Sequence, residues 1–147
     1  MVLPSTGAVF VSVANRDKRA IVFPAKRLVD LGFDLVATEG TADLLHRAGI
    51  EAEVVAKLST GDRELLEMLE TGRVGLVLNT PFGQGGRADG YEIRQAAVTH
   101  GVPCITTLAG ILAAIQGIEA LAEGTMTATS LQEYQRRVDE LRAGSTT

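Results

Sequence analysis

Tryptophan is absent from the chain, aromatics make up 4% of its 147 residues, and histidine occurs twice. The core must therefore be built from Val, Leu, Ile and Ala, and imidazole chemistry has only two places to reside. Cysteine occurs once, at Cys104. That excludes an internal disulfide and reads as a small buried hydrophobe in a protein of the reducing cytoplasm. No apolar run approaches the roughly 20 residues of a membrane span, so no membrane partner is expected. The start, "MVLPSTG", is too short for a signal peptide and lacks its basic residues. Positive charge is in the minority, with a net charge of -4. Nucleic-acid binders usually carry a basic surface, so none is expected as a partner. No metal-ligand spacing occurs, and no glycine fingerprint for dinucleotides. Gly83, Gly85 and Gly86 in "TPFGQGGRADG" lack the Lys-Ser/Thr that a Walker loop requires, and the stretch reads as a mobile loop over a site.

What is present is an ordinary globular balance, 46% hydrophobic and 22% charged. The length suits one domain over residues 1–147, with a core over 7–125 and a C-terminal helix over 130–143. Apolar runs at Ala8–Val13, Phe33–Ala37, Ala52–Val55, Val74–Asn79 and Pro103–Thr106 read as strands. They are continuous rather than alternating, as in strands buried on both faces. Helical patterns separate them and end on Gly32, Gly49, Gly72, Gly101 and Gly124, each placed for a left-handed C-cap. Asp62 is placed to cap a helix beginning at Arg63, and Asp89 with Glu92 has capping-box spacing for the fourth helix. Strict strand–helix alternation predicts an α/β domain: a parallel sheet with helices on both faces. Pro24 would break the first helix, which predicts a loop or ragged turn over Asp17–Val22 and a regular helix from Phe23 or Pro24. Arg16, Lys18 and Arg19 then fall on a loop-like basic rim. At the C-terminus, Ser130 with Glu133 repeats the capping box. Leu131, Tyr134, Val138 and Leu141 share one helical stripe, which either packs on the sheet domain or docks a neighbour.

Ligands of open parallel sheets bind beyond the carboxyl ends of the strands. Here each exit supplies a hydroxyl, an amide or a cation. They are Asn15 and the basic rim; Thr38, Gly40 and Thr41; Lys57, Ser59 and Thr60; Asn79 and Thr80; and Thr106 and Thr107. The carboxylates nearby are Asp17, Glu39 and Asp62. Hydroxyls and free N–H groups at a helix start donate to anions, and the helix dipole favours them. Lys18 and Lys57 add charge. A phosphate or similar small anion is the expected ligand, with Thr38 and Thr41 both capping the second helix and holding it. His46, inside the second helix, and His100, at the end of the fourth, lie away from the exits and read as surface or capping residues.

The segments "VFVSVANRDK", "LVATEGTADLL", "VLNTPFG" and "PCITTLAGILAAIQGIEA", in this order, resemble the C-terminal regulatory domain of carbamoyl-phosphate synthase large subunits, over Gly7 to Tyr134. The resemblance implies the methylglyoxal-synthase-like fold, a single three-layer domain with a five-stranded parallel sheet in order 3-2-1-4-5. It implies an allosteric domain without chemistry or cofactor of its own, binding UMP as inhibitor or IMP as activator. Lys18, Thr38, Thr41, Lys57, Asn79, Thr80, Thr106 and Thr107 match or adjoin ligand-contacting positions. The phosphate would sit at Thr38, Thr41 and Lys57, with Asn79, Thr80 and Thr107 nearer the ribose or base. It further implies a parent ligase that makes carbamoyl phosphate from glutamine, bicarbonate and ATP for pyrimidine and arginine synthesis. That parent would use Mg or Mn with K in other domains, and would have the rest of the large subunit and a glutaminase small subunit as partners. A homo-oligomer is left open.

Two features depart from that pattern. Gly61-Asp62-Arg63 stands where Gly-Arg-Pro is usual, and "GDRELLEMLETG" is instead similar to the methylglyoxal synthase segment that carries a catalytic aspartate, at Asp62. The alternative is thus a lyase acting on dihydroxyacetone phosphate. The paired histidines of that enzyme are missing, with Ala14 or Asn15 near the first position and Gly86–Arg87 near the second. A lone Asp is a poor catalyst of phosphate elimination.

Overall fold

The computed structural model describes residues 3–4, 6–56, 63–80, 87–122 and 135–141, with 87–90 described by backbone alone. Five parallel strands form one sheet: β1 (Ala8–Ser12), β2 (Asp34–Thr38), β3 (Glu53–Val55), β4 (Val74–Asn79) and β5 (Cys104–Ile105). Their order is β3-β2-β1-β4-β5. The continuous apolar runs are explained by burial on both sides. Val9, Val11, Leu35, Ala37, Leu76 and Leu78 face one core with Ile21, Leu28, Leu45, Ile111 and Ile115. Ala8, Phe10, Val36, Val74 and Val77 face the other with Leu65, Leu69, Ile93 and Ala97.

These helical residues belong to α1 (Lys18–Asp30), α2 (Glu39–Arg47) and α5 (Leu108–Ala122) on the first face, and to α3 (Glu64–Glu70) and α4 (Arg87–Thr99) on the second. The result is the expected three-layer α/β architecture. α1 and α5 are tied by an ion pair between Arg27 and Glu119. Arg27 also lies 5.7 Å over the ring of Phe23.

The glycine stops are as the sequence predicts: Gly32, Gly49, Gly72 and Gly101 all have positive φ. At Gly32, with φ +96°, the chain reverses so that Phe33 N–H donates to the Leu28 carbonyl at 3.0 Å. A β-carbon would strain that turn. Gly124 lies outside the described residues.

The helix starts differ from expectation. α1 begins at Lys18, preceded by a 3-10 turn over Asn15–Asp17, and carries Pro24 inside it. Lys18 and Arg19 are therefore helical, and Arg16 lies in the 3-10 turn, not on a loop. Burial of Ile21, Pro24, Ala25 and Leu28 on one stripe outweighs the bond lost at the Ala20 carbonyl. Ala20 is exposed, where water can serve the orphaned acceptor. α3 begins at Glu64 with Arg63 at the cap position and no side-chain cap. The helix starts one residue later than expected, and Asp62, expected to cap it, lies outside the described residues. α4 begins at Arg87, so Asp89 lies in its first turn and Arg87–Gly90 are helix, not loop.

At the C-terminus residues 135–141 are helical. Gln135 bonds Asp139 at 3.3 Å and Arg136 pairs Glu140 at 3.8 Å, both at i,i+4 spacing. Val138 is half-buried and Leu141 exposed. Leu131 and Tyr134, the rest of the expected stripe, lie outside the described residues.

Candidate functional site

At the carboxyl edge of the sheet β1 ends level with β2 and β4, and the backbone that follows it, at Val13 and Ala14, needs new partners. Hydroxyls from two other exits supply them. Ser12 Oγ shares a hydrogen bond with Thr38 Oγ1 at 3.2 Å. Val13 N–H donates to Thr41 Oγ1 at 3.4 Å, and Ala14 N–H donates to Thr80 Oγ1 at 2.9 Å. All four of these side chains are buried. Asn79 stands beside Ser12 in the β1–β4 register and donates through Nδ2 to the Ser12 carbonyl at 3.4 Å. Arg94 of α4 donates through Nη1 to Asn79 Oδ1, also at 3.4 Å.

Thr38 occupies the N-cap of α2, with extended φ −69° and ψ 158°, yet its hydroxyl makes no capping bond. The expected cap is overturned because the neighbouring strand claims that hydroxyl. Thr38 thus leaves the N–H groups of the first turn of α2 without its hydroxyl, and no other described side chain caps them. Beside that turn lies Lys18, whose Nζ is 3.0 Å from the point a β-carbon on Gly40 would occupy. A β-carbon there would crowd the ammonium and push it aside. Thr41 is buried, and its hydroxyl, having accepted from Val13, keeps its own hydrogen to donate. At the β5 exit Thr106 is half-buried. Thr107 caps α5, its Oγ1 accepting from Gly110 N–H at 3.0 Å.

The structure thus brings Lys18, Thr38, Gly40, Thr41, Asn79 and Thr80 to one edge, with Thr106 and Thr107 at the start of α5 on the same edge of the sheet. Lys57 and Asp62, with Ser59 and Thr60, lie outside the described residues. Two residues join the edge that sequence reasoning missed, Ser12 and Arg94. A hydroxyl inside the apolar run "AVFVSV" was the available signal for Ser12. Arg94 left none, being one charge among several on an amphipathic helix.

The edge offers backbone N–H groups, hydroxyls and cations. Its buried acid, Asp17, lies 3.7 Å from Arg16 Nε. The histidines are elsewhere. His46, in the last turn of α2, donates from Nε2 to the Ala52 carbonyl at 2.9 Å. His100 follows α4 and lines a groove of about 450 Å³ with Leu3, Pro4, Gly72 and Pro103. Both are at the amino-end side of the sheet. Cys104 on β5 is half-buried; burial pushes its thiol up, and the charge of Arg94 pulls it partly back. Among the described residues no cluster of three His, Cys, Asp or Glu could hold a metal. Among them no helix is long and apolar enough to cross a membrane.

The edge thus gathers donors and cations, and neither histidine lies at it. Residues 20–106 match the family model described as MGS-like domain. The chain is 55% identical over 147 residues to a carbamoyl phosphate synthase large chain of Micrococcus luteus. It is 50% identical over 145 residues to that of Streptomyces avermitilis. These alignments cover 97% and 95% of this chain and 13% of each relative. The chain therefore spans about an eighth of the length of the curated relatives it matches. Among solved structures it resembles a methylglyoxal synthase from Elizabethkingia anophelis, with TM-score 0.60 and 17% identity. That likeness covers 77% of this chain and 79% of the other, and it concerns the fold.

Proposed function

Since the chain belongs to the MGS-like domain family, we propose that it is a non-catalytic regulatory domain of a carbamoyl phosphate synthase large chain. In this reading it binds a nucleoside monophosphate, of the UMP or IMP kind, by its phosphate at the carboxyl edge of the sheet. The observation that carries the proposal is the Lys18 ammonium beside the uncapped first turn of α2. A cation and N–H groups that the Thr38 hydroxyl leaves uncapped suit a phosphate. Lys18, Thr38, Gly40, Thr41 and Lys57 would hold the phosphate. Asn79, Thr80, Thr106 and Thr107 would lie nearer the ribose and base.

The relatives' length supports a division of labour. The rest of the large chain would carry the ATP sites and their metal ions, work with a glutaminase small subunit, and supply carbamoyl phosphate to pyrimidine and arginine synthesis in the cytoplasm. Effector binding would act on that ligase by favouring one of two states of the whole enzyme, which requires unequal affinity for the two.

Calorimetric titration of the chain with UMP, IMP and inorganic phosphate tests the reading, repeated on Lys18→Ala and Thr38→Ala. Micromolar nucleotide binding, about −8 kcal/mol, weakened by Lys18→Ala, is expected. Absence of binding by all three would refute it. No turnover of dihydroxyacetone phosphate is expected, because both histidines sit away from this edge. Turnover abolished by Asp62→Asn would replace the regulatory reading with a lyase.

A further inference from the structure

The hydrogen bonds under the ligand edge form a connected line across three strands. Arg94 Nη1 donates to Asn79 Oδ1, Asn79 Nδ2 donates to the Ser12 carbonyl, and Ser12 Oγ meets Thr38 Oγ1 at the head of α2. Asn79 is 1% exposed, so a misoriented amide there has no water to turn to. Its two neighbours leave one orientation. A guanidinium only donates and a carbonyl only accepts. Rotating the amide by half a turn would set NH2 against guanidinium and oxygen against carbonyl.

We propose that Arg94 is a positioning residue: it locks the amide of Asn79 and, through Ser12, steadies Thr38 at the head of α2. Arg94 is the only charged member of the line and sits on α4, the helix packed on the opposite face from α2. It thereby couples the two helical layers at the edge where the ligand binds. Without it, Oδ1 of Asn79 loses its donor and the amide is held from one side only. The ligand half of this proposal rests on the anion-binding reading above. If Asn79 serves the ribose or base, its disorder weakens a nucleotide and spares a bare phosphate.

The first test needs no ligand. Nitrogen-15 NMR of Arg94→Met should move or broaden the side-chain NH2 pair of Asn79 and shift the amides of Thr38 and Gly40. Arg94→Lys, which keeps a cationic donor, should restore them in part, and Arg136→Met, at an exposed arginine, should leave them alone. An Asn79 pair unmoved in Arg94→Met overturns the proposal.

The second test is calorimetric. Arg94→Met should weaken UMP about tenfold, the worth of a hydrogen bond to a charged group, and inorganic phosphate by less than about twofold. The effect on UMP should vanish in an Asn79→Ala background. Equal loss of both ligands, or full loss in that background, overturns the ligand half. If the unmodified chain binds neither ligand, the binding reading fails, and the NMR result alone decides the role of Arg94.

Discussion

The Lys18 ammonium lies 3.0 Å from the point that a β-carbon on Gly40 would fill. The contact joins the first turn of α1 to the first turn of α2, two segments that sequence separates by a whole strand. It makes Gly40→Ala a clean probe. The added methyl meets the far end of a flexible side chain, which can swing away. Alanine improves helix propensity over glycine by up to about 1 kcal/mol. Thermal stability should therefore hold or rise slightly. Phosphate and UMP affinity should fall several-fold, because the cation has been displaced. Melting curves and titrations on the same sample check both halves, and an unchanged affinity would show that Lys18 does not serve the ligand.

Thr80 has a different task. Its hydroxyl accepts the Ala14 N–H at 2.9 Å, and both residues are buried. Thr80→Val keeps the shape and removes the acceptor, leaving a buried N–H unpaired. That should cost about 1–3 kcal/mol, read as a lower urea midpoint with an unchanged slope. Thr80→Ser keeps the hydroxyl and should recover most of the loss. A Thr80→Val variant as stable as the native chain would mean that the hydrogen bond contributes nothing, and a loss confined to Thr80→Ser would assign the cost to methyl packing.

The central strands β1, β2 and β4 were legible because burial on both faces leaves continuous apolar runs, whereas the edge strands β3 and β5 are only partly buried. "VGLVLN" gives β4 its full extent, and the other boundaries shift by a residue or two. Glycine stops were legible for a local reason, since only that residue reverses the chain cheaply at φ near +90°. Helix starts were less so. The Pro24 penalty is local, while the gain from seating Ile21 and Leu28 in the core is tertiary, and the tertiary term prevailed. The site was legible as an inventory and not as a wiring plan. Threonines at strand exits are visible in the sequence. That Thr38 serves Ser12 instead of its own helix follows from β1 lying beside β2, a fact of strand order. Arg94 reaches Asn79 only because α4 folds back over β4.

Cys104 offers a check on that same crossing through pH. Burial pushes its thiol up, and the charge of Arg94 opposes this in part. The folded state thus keeps the proton to higher pH than the unfolded chain, whose thiol titrates near about 8.5. Below that pH both states are protonated and the contribution to stability is complete. Above it the unfolded chain gives up its proton first, and stability falls as pH rises through the folded value. Urea unfolding from pH 7 to 10 should show this decline in the native chain, and a shallower one in Cys104→Ala. Arg94→Met removes the charge that favours thiolate, so the thiol should move further up and iodoacetamide should label it more slowly at pH 8.5. A labelling rate indifferent to the variant would mean that the guanidinium charge is not felt at the sulfur, and that Arg94 does not sit between β4 and β5 in solution.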